Sequence, residues 1–153
     1  MQREYPNSPL VGVGAVIIDN DRVVLVRRGK PPGYGQWTLP GGLVELGETT
    51  TAAVVREVSE EVSLHIEVLE LLAVLDRIII DATDMVRYHY VLLDFLCKIR
   101  GGNLRADSDI LACRLVPLQE LDSYALNPET REVIARGYRC LCGEKAQVYF
   151  ARF

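Results

Sequence analysis
The chain has 153 residues and a net charge of −4, with about half of its residues apolar and a quarter charged. That length suits one domain with a sizeable core, and the acidic balance argues against a protein that grips nucleic acid through its phosphates. No stretch is apolar and long enough to span a membrane, and "MQREYPNSPL" lacks the apolar core of a signal peptide, so a cytoplasmic protein with no membrane or nucleic-acid partner is expected.

The elements read as follows in chain order. "LVGVGAVIID" and "DRVVLVRRG" predict two strands joined by a tight turn at Asn20–Asp21. "GKPPGYGQ" is a Pro/Gly-rich loop, and "WTLPGG" is a short extended piece. "GETTTAAVVREVSEEV" predicts the first helix, and "LHIEVLELLAVLDRIII" is β-rich. "DATD" reads as a turn before the long strand "MVRYHYVLLDFLCKI", which "RGGNL" should end. After the polar loop "RADSD" comes the strand "ILACRLVPL". "NPETREVIARGY" predicts a second helix with Asn127 as N-cap, Pro128 at its first position and Gly137 at its end. The expected fold class is α+β, with helices packed on a mixed sheet. Cys97 and Cys113 lie in apolar strand-like segments, and the single C-x-C at Cys140 and Cys142 is too little for a zinc site, so unpaired thiols are expected.

The first helix carries an unusual concentration of acid. Glu57, Glu60 and Glu61 share one face by their i, i+3, i+4 spacing, and Val55, Val58 and Val62 are expected to face the core. Ala53 should leave room on the acidic face. Like charges one turn apart oppose the helix, as do its β-branched valines. Two readings compete: a solvated acidic face in which Arg56 pairs with Glu60, and a hard-cation site. Mg²⁺ takes oxygen ligands, commonly carboxylates together with substrate phosphates. The preceding glycines, Gly41, Gly42 and Gly47, let the backbone turn tightly beside a ligand and favour the second reading.

The run from Gly42 to Leu64 resembles the signature of the Nudix hydrolases, G-x5-E-x7-R-E-U-x-E-E-x-G-U, where U is a bulky aliphatic residue. Gly42, Glu48, Arg56, Glu57, Val58, Glu60, Glu61 and Leu64 stand at the signature's fixed places. Ser63 departs from it, standing where the family has glycine; a serine held left-handed there costs roughly 1 kcal/mol. The resemblance implies the α/β/α Nudix sandwich and a Mg²⁺-dependent hydrolase, with Mn²⁺ as the alternative ion, of a nucleoside diphosphate linked to another group. It gives Glu57, Glu60 and Glu61 the metal-binding places, with Glu57 also a candidate base. It makes Arg56 and Glu48 orienting residues and gives Gly41 a backbone carbonyl toward the metal. The flanking pattern is most similar to the ADP-ribose pyrophosphatase-like group, although the proline that one such subgroup carries beyond the box is missing. A homodimer is compatible with the family likeness.

Further site candidates lie outside the box. Asp109, ahead of Asp107, is the expected extra acid near the last strand, set against a plain polar loop. Arg27, Arg28 and Lys30 would meet substrate phosphates or form a solvated strand end. Tyr34 and Trp37 would stack on a base, with Trp37 equally suited to the core. Tyr88 and Tyr90 should share one strand face and His89 the other. Against the ADP-ribose reading stand a housecleaning hydrolase that converts nucleoside triphosphates to monophosphates and pyrophosphate, and a sensing module that binds nucleotide without cutting it. The complete set of box glutamates argues against the sensing module.

Overall fold
The computed structural model describes residues 2–145 and 147–153. Its strands are β1 (Leu10–Asp19), β2 (Arg22–Arg28), β3 (Trp37–Thr38), β4 (Gly41–Leu43), β5 (Leu64–Ile80), β6 (Val86–Gly102), β7 (Ile110–Pro117) and β8 (Tyr149–Arg152). Helix α1 spans Thr50–Val62 and α2 spans Pro128–Leu141, with a 3₁₀ helix at Leu118–Tyr124.

Asn20 and Asp21 both have positive φ, 46° and 61°, which matches the right-handed twist of a two-residue hairpin. β1 and β2 pair only beside this turn, at Ile18–Val23 and Asp19–Arg22, and then diverge. β1 runs parallel to β6, and β2 pairs with β7. The segment 37–43 fills the fork, β4 against β1 and β3 against β2. The Pro40 carbonyl accepts from the Ala15 amide at 2.9 Å, fixing the segment there. The main path of strands is β3-β2-β1-β6-β5-β8.

Alternation along β1 and β2 feeds two cores. Val13, Ala15, Ile17, Val24 and Val26 pack beneath α1. Val16, Ile18, Val23 and Leu25 pack beneath α2 with Val133 and Ile134. The result is the expected α/β/α sandwich.

Thr49 caps α1 by accepting from the Ala52 amide at 3.1 Å. The buried stripe is Val54, Val58 and Val62, three positions four apart, with Ala53 beside it. Two expectations are corrected here. Val55 is 38% exposed, and Ala53 is fully buried in the core instead of leaving space on the acidic face. The helix is rotated so that the glutamate row sits at the rim of the buried stripe. Ser63 ends α1 at φ 59°, ψ 32°, and its amide donates to the Ser59 carbonyl at 3.1 Å.

Asn127 caps α2 by accepting from the Thr130 amide at 2.8 Å. Gly137 does not end that helix. It lies buried within it, where a Cβ would come within 2.9 Å of Val16 Cγ1 and 3.1 Å of Leu72 Cδ1. The glycine therefore serves close helix–sheet packing, and α2 continues to Leu141. β6 also outruns its expected end, because Gly102 pairs with Leu64 at φ 87°. The four cysteines are unpaired, and burial pushes the Cys97 thiol up to about 12.

Candidate active site
Arg56 organises the acidic face. Its Nε donates to Glu48 Oε1 at 2.8 Å and its Nη2 to Glu48 Oε2 at 3.0 Å, a two-point fork. Nη2 also reaches the Leu43 carbonyl at 3.0 Å, and Nη1 donates to Glu57 Oε1 at 3.0 Å and Glu60 Oε2 at 3.2 Å. Such charge-assisted bonds to a planar guanidinium fix both distance and direction. Glu48 is itself held, because its Oε2 accepts from the Glu45 amide at 3.0 Å. The Arg56 contact, and next that amide, keep the Glu48 carboxyl below its ordinary range.

Burial strains the electrostatics of the row. Desolvation raises the Glu57 pKa against the pull of Arg56. Desolvation also pushes Glu61 up to about 7, helped by the charges of Glu57 and Asp109 and opposed by the Gly41 amide. That amide donates to Glu61 Oε2 at 3.1 Å. Gly41 thus meets the acidic row through its N–H. Gly42 has no room for a side chain, since a Cβ there would overlap the Glu57 carboxylate.

The resemblance of the signature implies a divalent cation, and the donor set fits one. Glu57, Glu60 and Glu61 offer only hard oxygen ligands, and the two more buried carboxyls are held in a setting that disfavours their own charge. Among the described residues no preformed cage of three ligands exists. Arg56 engages Glu57 and Glu60, so binding an ion requires these carboxylates to share or exchange that partner.

A cleft of about 240 Å³ runs over this row and is also lined by Arg3, Arg28, Lys30 and Asp109. Lys30 and Asp109 form an ion pair across it. Asp107 is directed elsewhere: it accepts from the Ser108 amide and lies 3.6 Å from Arg105. Arg27 and Tyr34 are not brought to the cleft. Arg27 Nε donates to the Gly35 carbonyl at 3.0 Å, and Tyr34 stands 64% exposed on the loop. Nothing in local sequence distinguishes Arg27 from Arg28; the alternation of β2 turns them to opposite sides.

Arg3, Arg28, Gly41 and Gly42 also line a second cavity, of about 210 Å³, on the α2 side of the sheet. Trp37 is a wall of this cavity. It packs edge-on against Tyr124 with ring centroids 5.1 Å apart, and Arg114 lies 5.1 Å from its centroid. Its floor includes Tyr90, Leu92 and Asp94 of β6, opposite Arg77, Leu75 and Ala73 of β5. Arg28 and Arg77 are partly buried, and desolvation lowers both guanidinium pKa values. Asp94, Arg77 and Arg3 escaped the sequence reading. The acid inside the apolar run "VLLDFLC" was a usable signal, because an unpaired carboxylate is rarely placed in a core strand.

A model described as NUDIX domain matches residues 8–137. The chain is 35% identical over 121 residues to an ADP-ribose pyrophosphatase of Methanocaldococcus jannaschii, covering 79% of this chain and 69% of the relative. It is 36% identical over 142 residues to a Mycobacterium tuberculosis protein whose name provisionally assigns it 8-oxo-dGTP diphosphatase activity, covering 90% and 94%. Among solved structures, a MutT NUDIX hydrolase from Burkholderia pseudomallei superposes with a TM-score of 0.72 at 33% identity, covering 84% of this chain and 98% of that one. With the signature, the sandwich and these relatives in agreement, the chain belongs to the Nudix hydrolase family.

Proposed function
We propose that the chain hydrolyses the diphosphate bond of ADP-ribose or a related nucleotide sugar with Mg²⁺ as the working ion. The observation that carries this reading is the adjacency of two spaces. The acidic cleft and a cavity with aromatic and polar walls share Arg3, Arg28, Gly41 and Gly42 as lining residues. One end suits a metal-bridged diphosphate and the other an organic moiety. The similarity to the archaeal ADP-ribose pyrophosphatase favours the substrate class.

In this reading Glu57, Glu60 and Glu61 hold the ion. When bound, it neutralises phosphate charge and lowers the pKa of water. Arg56 and Glu48 are positioning residues that fix the carboxylates. Glu57 Oε1 is tied to Arg56, which leaves Oε2 to take a proton from the attacking water. Arg28, Arg3 and Lys30, the last paired with Asp109 at the rim, meet the phosphates.

A second reading, hydrolysis of an oxidised nucleoside triphosphate to monophosphate and pyrophosphate, is favoured by the mycobacterial relative, which aligns over nearly its whole length. A screen of ADP-ribose, nucleotide sugars, dinucleotides and common and oxidised triphosphates separates the two by their products. AMP with ribose 5-phosphate supports the first reading. Pyrophosphate release supports the second.

A further inference from the structure
The floor of the second cavity holds a carboxylate that the hydrolytic machinery does not use. Asp94 lies in the middle of β6 and is only 7% exposed. No group among the described residues donates a hydrogen bond to it, and desolvation alone pushes its pKa up to about 7. A buried, unpaired carboxyl is among the more expensive features a core can carry. Its neighbours are shaped to admit it. Gly14 stands directly opposite on β1, and a Cβ there would overlap Asp94 Oδ1. Ala73 stands opposite on β5. Small residues on both sides thus leave room for the carboxyl, which lies over Gly14 and lines the cavity.

A second unsatisfied group lies on the same face. The Tyr90 hydroxyl is buried without a hydrogen-bond partner. Tyr90 and Asp94 are four positions apart on one strand, with Leu92 between them, so alternation points all three the same way. All three line the cavity. Across the sheet Gly41, Gly14 and Asp94 form one row. Asp94 is therefore two strand spacings from Gly41, on the order of 10 Å, a reach that a nucleoside monophosphate spans from phosphate to base edge.

We propose that Asp94, assisted by the Tyr90 hydroxyl, is the specificity-determining residue that accepts hydrogen bonds from adjacent donors on the nucleoside part of the substrate. This rests on the reading of the acidic cleft as the diphosphate end. The shared chemistry is a pair of neighbouring N–H or O–H donors. The N1–H and exocyclic amine of a guanine-type base supply it, and so do the two hydroxyls of a ribose. A carboxylate accepts from both members of either pair, whereas the amide of asparagine presents one acceptor and one donor.

The test is calorimetric binding of AMP, GMP, IMP and 2′-deoxy-GMP to the full chain in chelator, with ribose 5-phosphate as the ligand that lacks a base. Wild type is expected to bind at least one nucleotide, and Asp94→Asn to weaken it about tenfold or more, the scale of a charged hydrogen bond. Ribose 5-phosphate should bind both proteins alike if a base is read. Loss of affinity from GMP to IMP assigns the donors to the base; loss from GMP to 2′-deoxy-GMP, with ribose 5-phosphate also weakened by Asp94→Asn, assigns them to the ribose. Tyr90→Phe, which removes only a hydroxyl, should weaken the same nucleotide less. Unchanged nucleotide binding by Asp94→Asn, or no nucleotide bound by wild type, overturns the proposal. So does an equal loss by Asp94→Asn for all ligands regardless of donor pattern. Glu60→Gln distinguishes the two readings: it should lose hydrolysis, whereas Asp94→Asn should lose nucleotide affinity. Nucleotide binding sensitive to Asp94 without any hydrolysis by wild type would remove the hydrolytic reading and leave this one. Hydrolysis that depends on Glu60 but not on Asp94 would do the reverse.

Discussion
The Arg56 guanidinium grips Glu48 at two points, 2.8 and 3.0 Å, across eight residues of sequence. The fork joins the loop before α1 to the helix itself. It leaves Nη1 aimed at Glu57 and Glu60, so one cation sets the direction of both carboxylates. Replacing Glu48 with Gln keeps its shape but removes the charge that holds the fork. The expected result is a rate loss of about 10- to 100-fold with weaker metal affinity, the usual effect of losing a residue that orients metal ligands. Mg²⁺ titrations of the rate measure it. An unchanged Mg²⁺ dependence would remove Glu48 from that role.

Arg56→Lys should do at least as much damage. A lysine keeps the charge but cannot make the planar fork to Glu48 while reaching Glu57 and Leu43. Circular dichroism should show a folded protein, while kcat falls. A lysine variant with wild-type turnover would show that charge, and not geometry, is what the site needs.

Ser63 sits in the left-handed region at φ 59°, a conformation glycine adopts freely. Ser63→Gly should stabilise the fold by roughly 1 kcal/mol, read from chemical denaturation, and leave the rate nearly unchanged. A large loss of rate would give Ser63 a function beyond ending the helix.

Asp94 makes stability depend on pH with an unusual sign. Its folded pKa, about 7, lies above the ordinary value of 3.8. Between those values the unfolded chain releases a proton that the folded chain retains, so stability falls as pH rises through this window. Asp94→Asn removes that contribution. Its melting temperature should exceed wild type by a margin that grows from pH 4 to pH 7. A margin constant across the window would contradict the buried, unpaired state of Asp94.

What could be read from sequence was what local spacing encodes. The Asn20–Asp21 turn, the caps at Asn127 and Ser63 and the glutamate row depend on residues within a few positions of one another. The rotation of α1 did not, because 54/58/62 and 55/58/62 are both apolar stripes and only the sheet beneath decides between them. Gly137 reads as a stop signal until Val16 and Leu72 are seen against it. Arg3 and Arg77 reach the site from elements distant in sequence, and β8 (Tyr149–Arg152) is an edge strand too short for a periodic signal. The box glutamates were found because function requires an arrangement that helix physics alone disfavours. Asp94 breaks local consistency in the same way, and such breaks are where function is to be sought.

Glu60 offers a sharp test of the acidic row because it is its most exposed member, and its loss should leave the core intact. Glu60→Gln is expected to retain the wild-type melting curve and lose turnover by orders of magnitude. A fully active Glu60→Gln would take Glu60 out of the site.

The most direct measurement is hydrolysis of ADP-ribose by the wild-type chain, with Mg²⁺ and then with excess chelator, resolving products by chromatography. The account predicts AMP and ribose 5-phosphate in the first case and neither in the second. Product formation that survives the chelator, or a folded protein that cleaves neither ADP-ribose nor any other nucleoside diphosphate derivative with Mg²⁺ present, would contradict it.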